Sequence, residues 1–126
     1  MHLSTGPEGR LVLGERVFLN SGVVVSAQRS IEIGDDCKIG DMTALYDSNF
    51  HQIEEGAEVG VAPVRLGRNV WLGRGVVVLP GVTIGDHSVV GAGSVVTAAI
   101  PPGVLAAGNP ARVLRPLRCS EAFRRR

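Results

Sequence analysis

Aromatic residues are scarce in this chain, with three Phe, one Tyr and one Trp among 126 residues. A core built on rings is therefore excluded, and the interior must come from aliphatic side chains. Cysteine is scarcer still. Cys37 and Cys119 make no disulfide framework, and both read as unreactive thiols. The net charge is only +1, thinly spread, which leaves no footprint for nucleic acid. Lysine occurs once against twelve arginines, a skew read as coding bias. There is no charged-then-apolar leader, and no unbroken apolar run approaches about eighteen residues. The expectation is a cytoplasmic chain without signal peptide or membrane span.

What is abundant is glycine, 17 residues, and a pattern in the aliphatics. From Leu66 the chain divides into sixes, LGRNVW, LGRGVV, VLPGVT, IGDHSV and VGAGSV, and each six is led by an aliphatic: Leu66, Leu72, Val78, Ile84, Val90 and then Val96. Glycine follows four of these leads. The fifth slot is small or β-branched throughout, at Val70, Val76, Val82, Ser88 and Ser94. Six leads in one phase would arise by chance roughly once in a few hundred such windows. The period fits neither a helix nor a plain alternating strand.

A period of six follows from a strand-turn unit repeated around a three-sided prism, with lead and fifth residues pointing inward. Three hexads then close a coil of about eighteen residues, and coils stack at about 4.8 Å, so equivalent aliphatics form dry columns. The narrow corner explains the glycine after the lead. The run VWLGRGVVVLPGVTIGDHSVVGAGSVVT resembles the most recognisable segment of the hexapeptide-repeat acyltransferases, and AAGNPARVLR resembles their usual ending. The likeness is closest to the sugar, maltose and galactoside O-acetyltransferases, and it covers Leu13 to Arg115. It implies an all-β, left-handed parallel β-helix of about four coils. The hand comes from the resemblance, since parallel crossovers are ordinarily right-handed.

Read in order, the chain is expected to form one domain over residues 1–126. Met1 to Val12 read as a lead-in covering the first open edge. Hexads run over 13–100, with leads Leu13, Leu19, Val25, Ile33, Ile39 and Leu45 in the first half. Ser26 to Glu32 hold two surplus residues, so a corner should bulge there. Asn49 fits its inward fifth slot poorly, which suggests that the coil opens. Residues 51–63, HQIEEGAEVGVAP, lose the repeat and read as a working loop. Residues 101–126 form a tail: Pro101 and Pro102 stop the repeat, Val104 to Ala107 add a strand, and Gly108-Asn109-Pro110 turns Val113 and Leu114 back. A short helix is expected from about Leu117.

Candidate chemistry rests on few residues. His2 in the terminus and His87 in an outward corner slot read as solvated surface groups. His51 stands where the coil gives way to the loop. DSNFH resembles the segment of sugar O-acetyltransferases whose histidine takes the proton from the acceptor hydroxyl, a task suited to a side chain that titrates near neutrality. Asp47 is the nearest carboxylate that could orient it, a surface aspartate being the alternative. Asn20 matches an asparagine placed near the acceptor in such enzymes, or else is a corner residue favouring a left-handed backbone. No Gly-x-Ser-x-Gly elbow or activated cysteine is apparent, so direct transfer is expected over an acyl-enzyme.

The resemblance also implies a donor, acetyl coenzyme A, lying between coils of neighbouring subunits of a homotrimer. It places Gly73, Ala92 and Thr97 along the donor, Arg112 and Arg115 at its phosphates, Trp71 against its pantetheine and the Arg74 backbone amide at the thioester oxygen. Many relatives carry lysine where this chain has Ala98, so a phosphate contact is lost or supplied by Arg74, Arg118 or another subunit. No metal is expected. The resulting reading is an acetyl-CoA-dependent O-acetyltransferase acting on a sugar, glycan precursor or similar small hydroxylated molecule. Two rivals stand beside it: a non-catalytic β-helix platform, and a γ-class carbonic anhydrase. The latter would need three histidines converging on one metal.

Overall fold

The computed structural model describes all 126 residues, and every regular element in it is a strand. The first face of a three-sided prism carries β1 (His2–Thr5), β4 (Val24–Ala27), β7 (Ala44–Tyr46), β10 (Val77–Val78) and β13 (Val95–Val96). The second carries β2 (Arg10–Leu13), β5 (Ser30–Ile33), β8 (Val64–Leu66) and β11 (Thr83–Ile84). The third carries β3 (Phe18–Leu19), β6 (Lys38–Ile39), β9 (Trp71–Leu72), β12 (Val89–Val90) and β14 (Val104–Gly108), with β15 (Ala111–Pro116) antiparallel on its edge. All other pairings are parallel, each strand to the strand one coil away.

Strand register turns the hexad leads into columns. On the first face Val25, Leu45, Val78 and Val96 stack; on the second, Ile33, Leu66 and Ile84; on the third, Ile39, Leu72, Val90 and Ala106. All are buried, within one apolar cluster that also takes in the inward fifth-slot residues Val23, Cys37, Val70, Val76 and Val82. Burial of each Val, Leu or Ile among them contributes about 1.5–3 kcal/mol. The Cys37 thiol, desolvated in this column, is pushed up to about 11, so it stays protonated and inert at neutral pH.

Two slots of each hexad obey different backbone rules. A Cβ on Gly34 would lie 2.5 Å from the Gly67 carbonyl oxygen, and one on Gly40 2.6 Å from the Gly73 carbonyl carbon, so the second slot is small because the next coil passes there. The fourth slot adopts positive φ in coil after coil, at Arg16, Asp36, Asn69 and His87 as well as at Gly22, Gly75 and Gly93.

Three expectations need correction. Met1 to Val12 form no mere lead-in: β1 adds a strand to the first face by pairing with β4, and β2, which ends at the first lead Leu13, pairs with β5 on the second. No helix begins at Leu117, where the tail instead runs down the prism as an irregular strap. His87 is no solvated group; the strap buries it. The bulge between β4 and β5 and the opening at exposed Asn49 are both present.

Candidate active site

The prism has three corners, and the candidate residues divide among them. The corner from first to second face carries the loop. The chain leaves the coil at Asp47, and Ser48 bridges antiparallel to Val61. Asn49 N–H donates to Gly60 O at 2.9 Å and Ala62 N–H to Asp47 O at 2.9 Å, which closes the loop's neck. Phe50, held at positive φ with its N–H on Ser48 Oγ, turns His51 outward. His51 is exposed, and its N–H donates to Asn49 O at 2.7 Å. Thr97, directly after β13, ends the first face at this same corner.

Asp47 is neither solvated nor paired with His51. Its side chain is fully buried, Oδ1 accepting from Gln28 N–H at 2.7 Å and Oδ2 from Arg29 and Ser30 N–H at 2.7 and 2.8 Å. Those three amides are the bulged corner of the preceding coil. Surplus residues leave their N–H groups without strand partners, and the carboxylate of the next coil supplies the missing acceptors. The suggested Asp47–His51 dyad is thus replaced by a structural cap in this chain.

The corner from third to first face is a ridge of small residues, Gly40, Gly73 and Gly91, each donating its N–H to the lead carbonyl region of the next coil. Asn20 occupies the equivalent position in the first coil, and its Oδ1 accepts from Ser21 N–H at 2.7 Å. Arg74 and Ala92 lie on this ridge; the Arg74 side chain is engaged by Asp41. The Arg74 backbone N–H has no acceptor within the chain. Arg112 faces Ala107 at the top of the ridge, and Arg115 pairs opposite Leu105 on the third face. Neither arginine meets a carboxylate. A groove of about 370 Å³ joins Trp71, Arg115 and Arg118. Seven donor and acceptor candidates, Asn20, Trp71, Gly73, Arg74, Ala92, Arg112 and Arg115, therefore share one ridge and its adjoining face. His51, Asp47 and Thr97 stand at another corner.

The remaining corner is covered by the tail. Leu117 N–H donates to Gly103 O; Arg68 reaches Glu121 O; buried Asn69 donates to Phe123 O at 2.9 Å and accepts from Arg125 N–H at 2.9 Å. Arg125 donates to the carbonyls of Asn69 and His87, while the Phe123 ring stacks on His87 at 6.2 Å. The His87 ring nitrogens face Asn69 Nδ2 and Arg68. Lower down, Arg124 lies 3.8 Å from Asp36, whose carboxyl the hydrogen-bonded Arg16 guanidinium holds below the ordinary carboxylate range. That ion pair contributes stability above the ordinary range and loses it only as acidification passes the lowered value. His51 and His87 thus stand at different corners, which removes the convergence a three-histidine metal site requires. Hexad phase could not reveal the strap, because nothing after Pro116 repeats.

Coils of six-residue units, glycine at the close approaches and one interrupted corner together define a hexapeptide β-solenoid. Residues 63–98 match the bacterial transferase hexapeptide family (six repeats), and residues 10–40 the hexapeptide repeat of succinyl-transferase. The hexapeptide-repeat acetyltransferase of Vibrio cholerae, solved with acetyl coenzyme A, is 36% identical with a TM-score of 0.82, over 93% of this chain and 66% of that one. In a second structure of that enzyme the match is 34% identical, TM-score 0.78, over 93% and 72%. A galactoside acetyltransferase in complex with coenzyme A gives 36% and 0.84, over 92% and 60%. The galactoside O-acetyltransferase of Escherichia coli K12 is 41% identical over 106 residues, 82% of this chain and 52% of the relative. The chain belongs to the hexapeptide-repeat acyltransferase family, and its fold is that family's left-handed β-helix. It spans about half the length of the curated relatives it matches first.

Proposed function

We propose that the chain is an acetyl-CoA-dependent O-acetyltransferase acting on a hydroxyl of a sugar, glycan precursor or similar small molecule in the cytoplasm. The observation that carries this reading is the ridge and adjoining face that hold every donor candidate except Thr97, in a chain similar to two acetyltransferases solved with acetyl coenzyme A or coenzyme A. The acceptor oxygen attacks the thioester carbonyl carbon while His51 takes its proton. The tetrahedral oxyanion is received by an amide such as the unpaired Arg74 N–H. The C–S bond then breaks, and the proton on His51 passes to the departing thiolate. No acyl-enzyme is needed.

The reading requires a cyclic trimer. Within one chain His51 and the ridge lie on different corners, whereas rotation about a threefold axis can set the loop corner of one subunit against the ridge of the next. Met42, Phe50, Ile53, Val113 and Leu114 stand exposed and are available to contacts between subunits. Sedimentation at micromolar concentration should give a trimer; a monomer alone would remove the assembled site.

Arg112 and Arg115, free of carboxylates, are assigned to the donor phosphates. Replacing both with alanine should weaken coenzyme A binding about ten- to a hundredfold for each charge-assisted hydrogen bond lost. Dephosphorylated coenzyme A should no longer bind more weakly than coenzyme A in that variant. Equal calorimetric affinity of wild type and variant would return both arginines to solvent. Screening hydroxylated acceptors by thiol release from acetyl-CoA tests the activity itself: no release with any acceptor, by protein that binds the donor, would favour a binding platform.

A further inference from the structure

The third face holds a second and larger groove, about 540 Å³, on its lower coils. Its floor is the outward column Phe18, Lys38 and Trp71, three residues in register on successive strands. Asn20 forms one edge, and the end of the strap, Phe123 to Arg126, forms the other. The ten lining residues include four cations, Lys38, Arg124, Arg125 and Arg126, and no acidic side chain.

The charges are poorly compensated. Arg124 shares Asp36 with Arg16, which holds the shorter contact, 2.7 against 3.8 Å. Arg125 spends its donors on backbone carbonyls and lies 5.1 Å above the Phe123 ring, neutral partners that leave its charge in place. Lys38 and Arg126 form no ion pair, and Lys38 shares with Arg16 and Arg124 the field of the one nearby carboxylate, Asp36. Four like charges around one partly desolvated space repel one another, and the network around Asn69 holds the strap there nonetheless. An entering anion would relieve that repulsion. Arginine forks suit the several oxygens of a phosphate, and a dianion matches the excess better than a single carboxylate. Exposed Trp71 and Phe18 offer ring faces beside it, and Asn20 has its amide Nδ2 free to donate.

We propose that this groove binds the acceptor as a phosphorylated sugar, with the phosphate held by Lys38, Arg126 and Arg124 and the sugar ring laid against Phe18 beside Asn20, which leaves Trp71 to the donor. The volume suits such a ligand. This assignment rests on the acetyltransferase reading for the identity of the ligand as acceptor, though binding can be measured without turnover. Nothing in the hexads announces the groove, since two of its walls come from different parts of the chain.

Calorimetric titration of the full chain with glucose 1-phosphate, inorganic phosphate and glucose tests it, with wild type and the double variant Lys38→Ala/Arg126→Ala. These two side chains hold no part of the strap network, and a melting curve checks that the variant folds. Glucose 1-phosphate should bind at least about tenfold more tightly than glucose, and the double variant should lose that margin. Added salt should weaken the binding of both phosphate probes. The proposal is overturned if neither phosphate probe binds, if glucose binds as well as its phosphate, or if the variant keeps the margin. Thiol release with the same compounds separates the two readings. A phosphate-dependent margin with no release from any screened acceptor leaves the groove standing and counts against the acetyltransferase, whereas release with neutral sugars alone keeps the enzyme and removes the anionic acceptor.

Discussion

Replacing His51 with alanine should lower turnover roughly 10²- to 10⁴-fold while the melting curve and donor affinity stay nearly unchanged. The separation follows from where the residue lies. His51 is exposed at the mouth of the loop, outside every inward column, and the hydrogen bond that shapes its turn uses the backbone N–H, which alanine keeps. Only the imidazole is lost, and with it the group that takes the acceptor proton. His87→Ala makes the contrast: it empties the buried contact beneath the strap, so its cost should fall on stability. The measurement is thiol release with an acceptor found by screening. A variant keeping more than about a tenth of wild-type rate would exclude His51 as a base of the proposed strength.

The prism was legible because its physics is periodic. A lead aliphatic recurs every six residues because each face must place one such residue inward, and glycine follows it where the next coil passes close. Asn49 in an inward slot announced the opening of the coil, and the two surplus residues before Ile33 announced the bulge. What escaped was everything set by contact between unrelated segments. His87 looks outward in hexad phase and would be so on a bare coil, but the strap covers it. The strap itself carries Phe123 and Arg125, whose partners Asn69 and His87 lie 54 and 38 residues away. Asp47 sits near His51 in sequence, and that proximity suggested a dyad. Yet a carboxylate at a corner turns toward the nearest unpaired donors, which here are the amides of the coil below.

Asp47→Ala should therefore act on the fold before it acts on chemistry. Three backbone N–H groups, on Gln28, Arg29 and Ser30, lose their acceptor at once, and alanine offers no substitute. Full loss of three charge-assisted bonds would be far larger than the expected cost, because Arg29 is exposed and water can reach part of the emptied corner. A destabilisation of about 3–5 kcal/mol is expected, enough to lower the melting temperature by on the order of 10–20 °C. Asp47→Asn should recover little, since its amide nitrogen is a donor and would face one of the three N–H groups. Assayed well below its melting point, the folded fraction of Asp47→Ala should turn over within severalfold of wild type, with His51 still in place. The opposite pair of results, an unchanged melting curve with turnover reduced as far as in His51→Ala, would show that the carboxylate serves the histidine and that the corner holds without it.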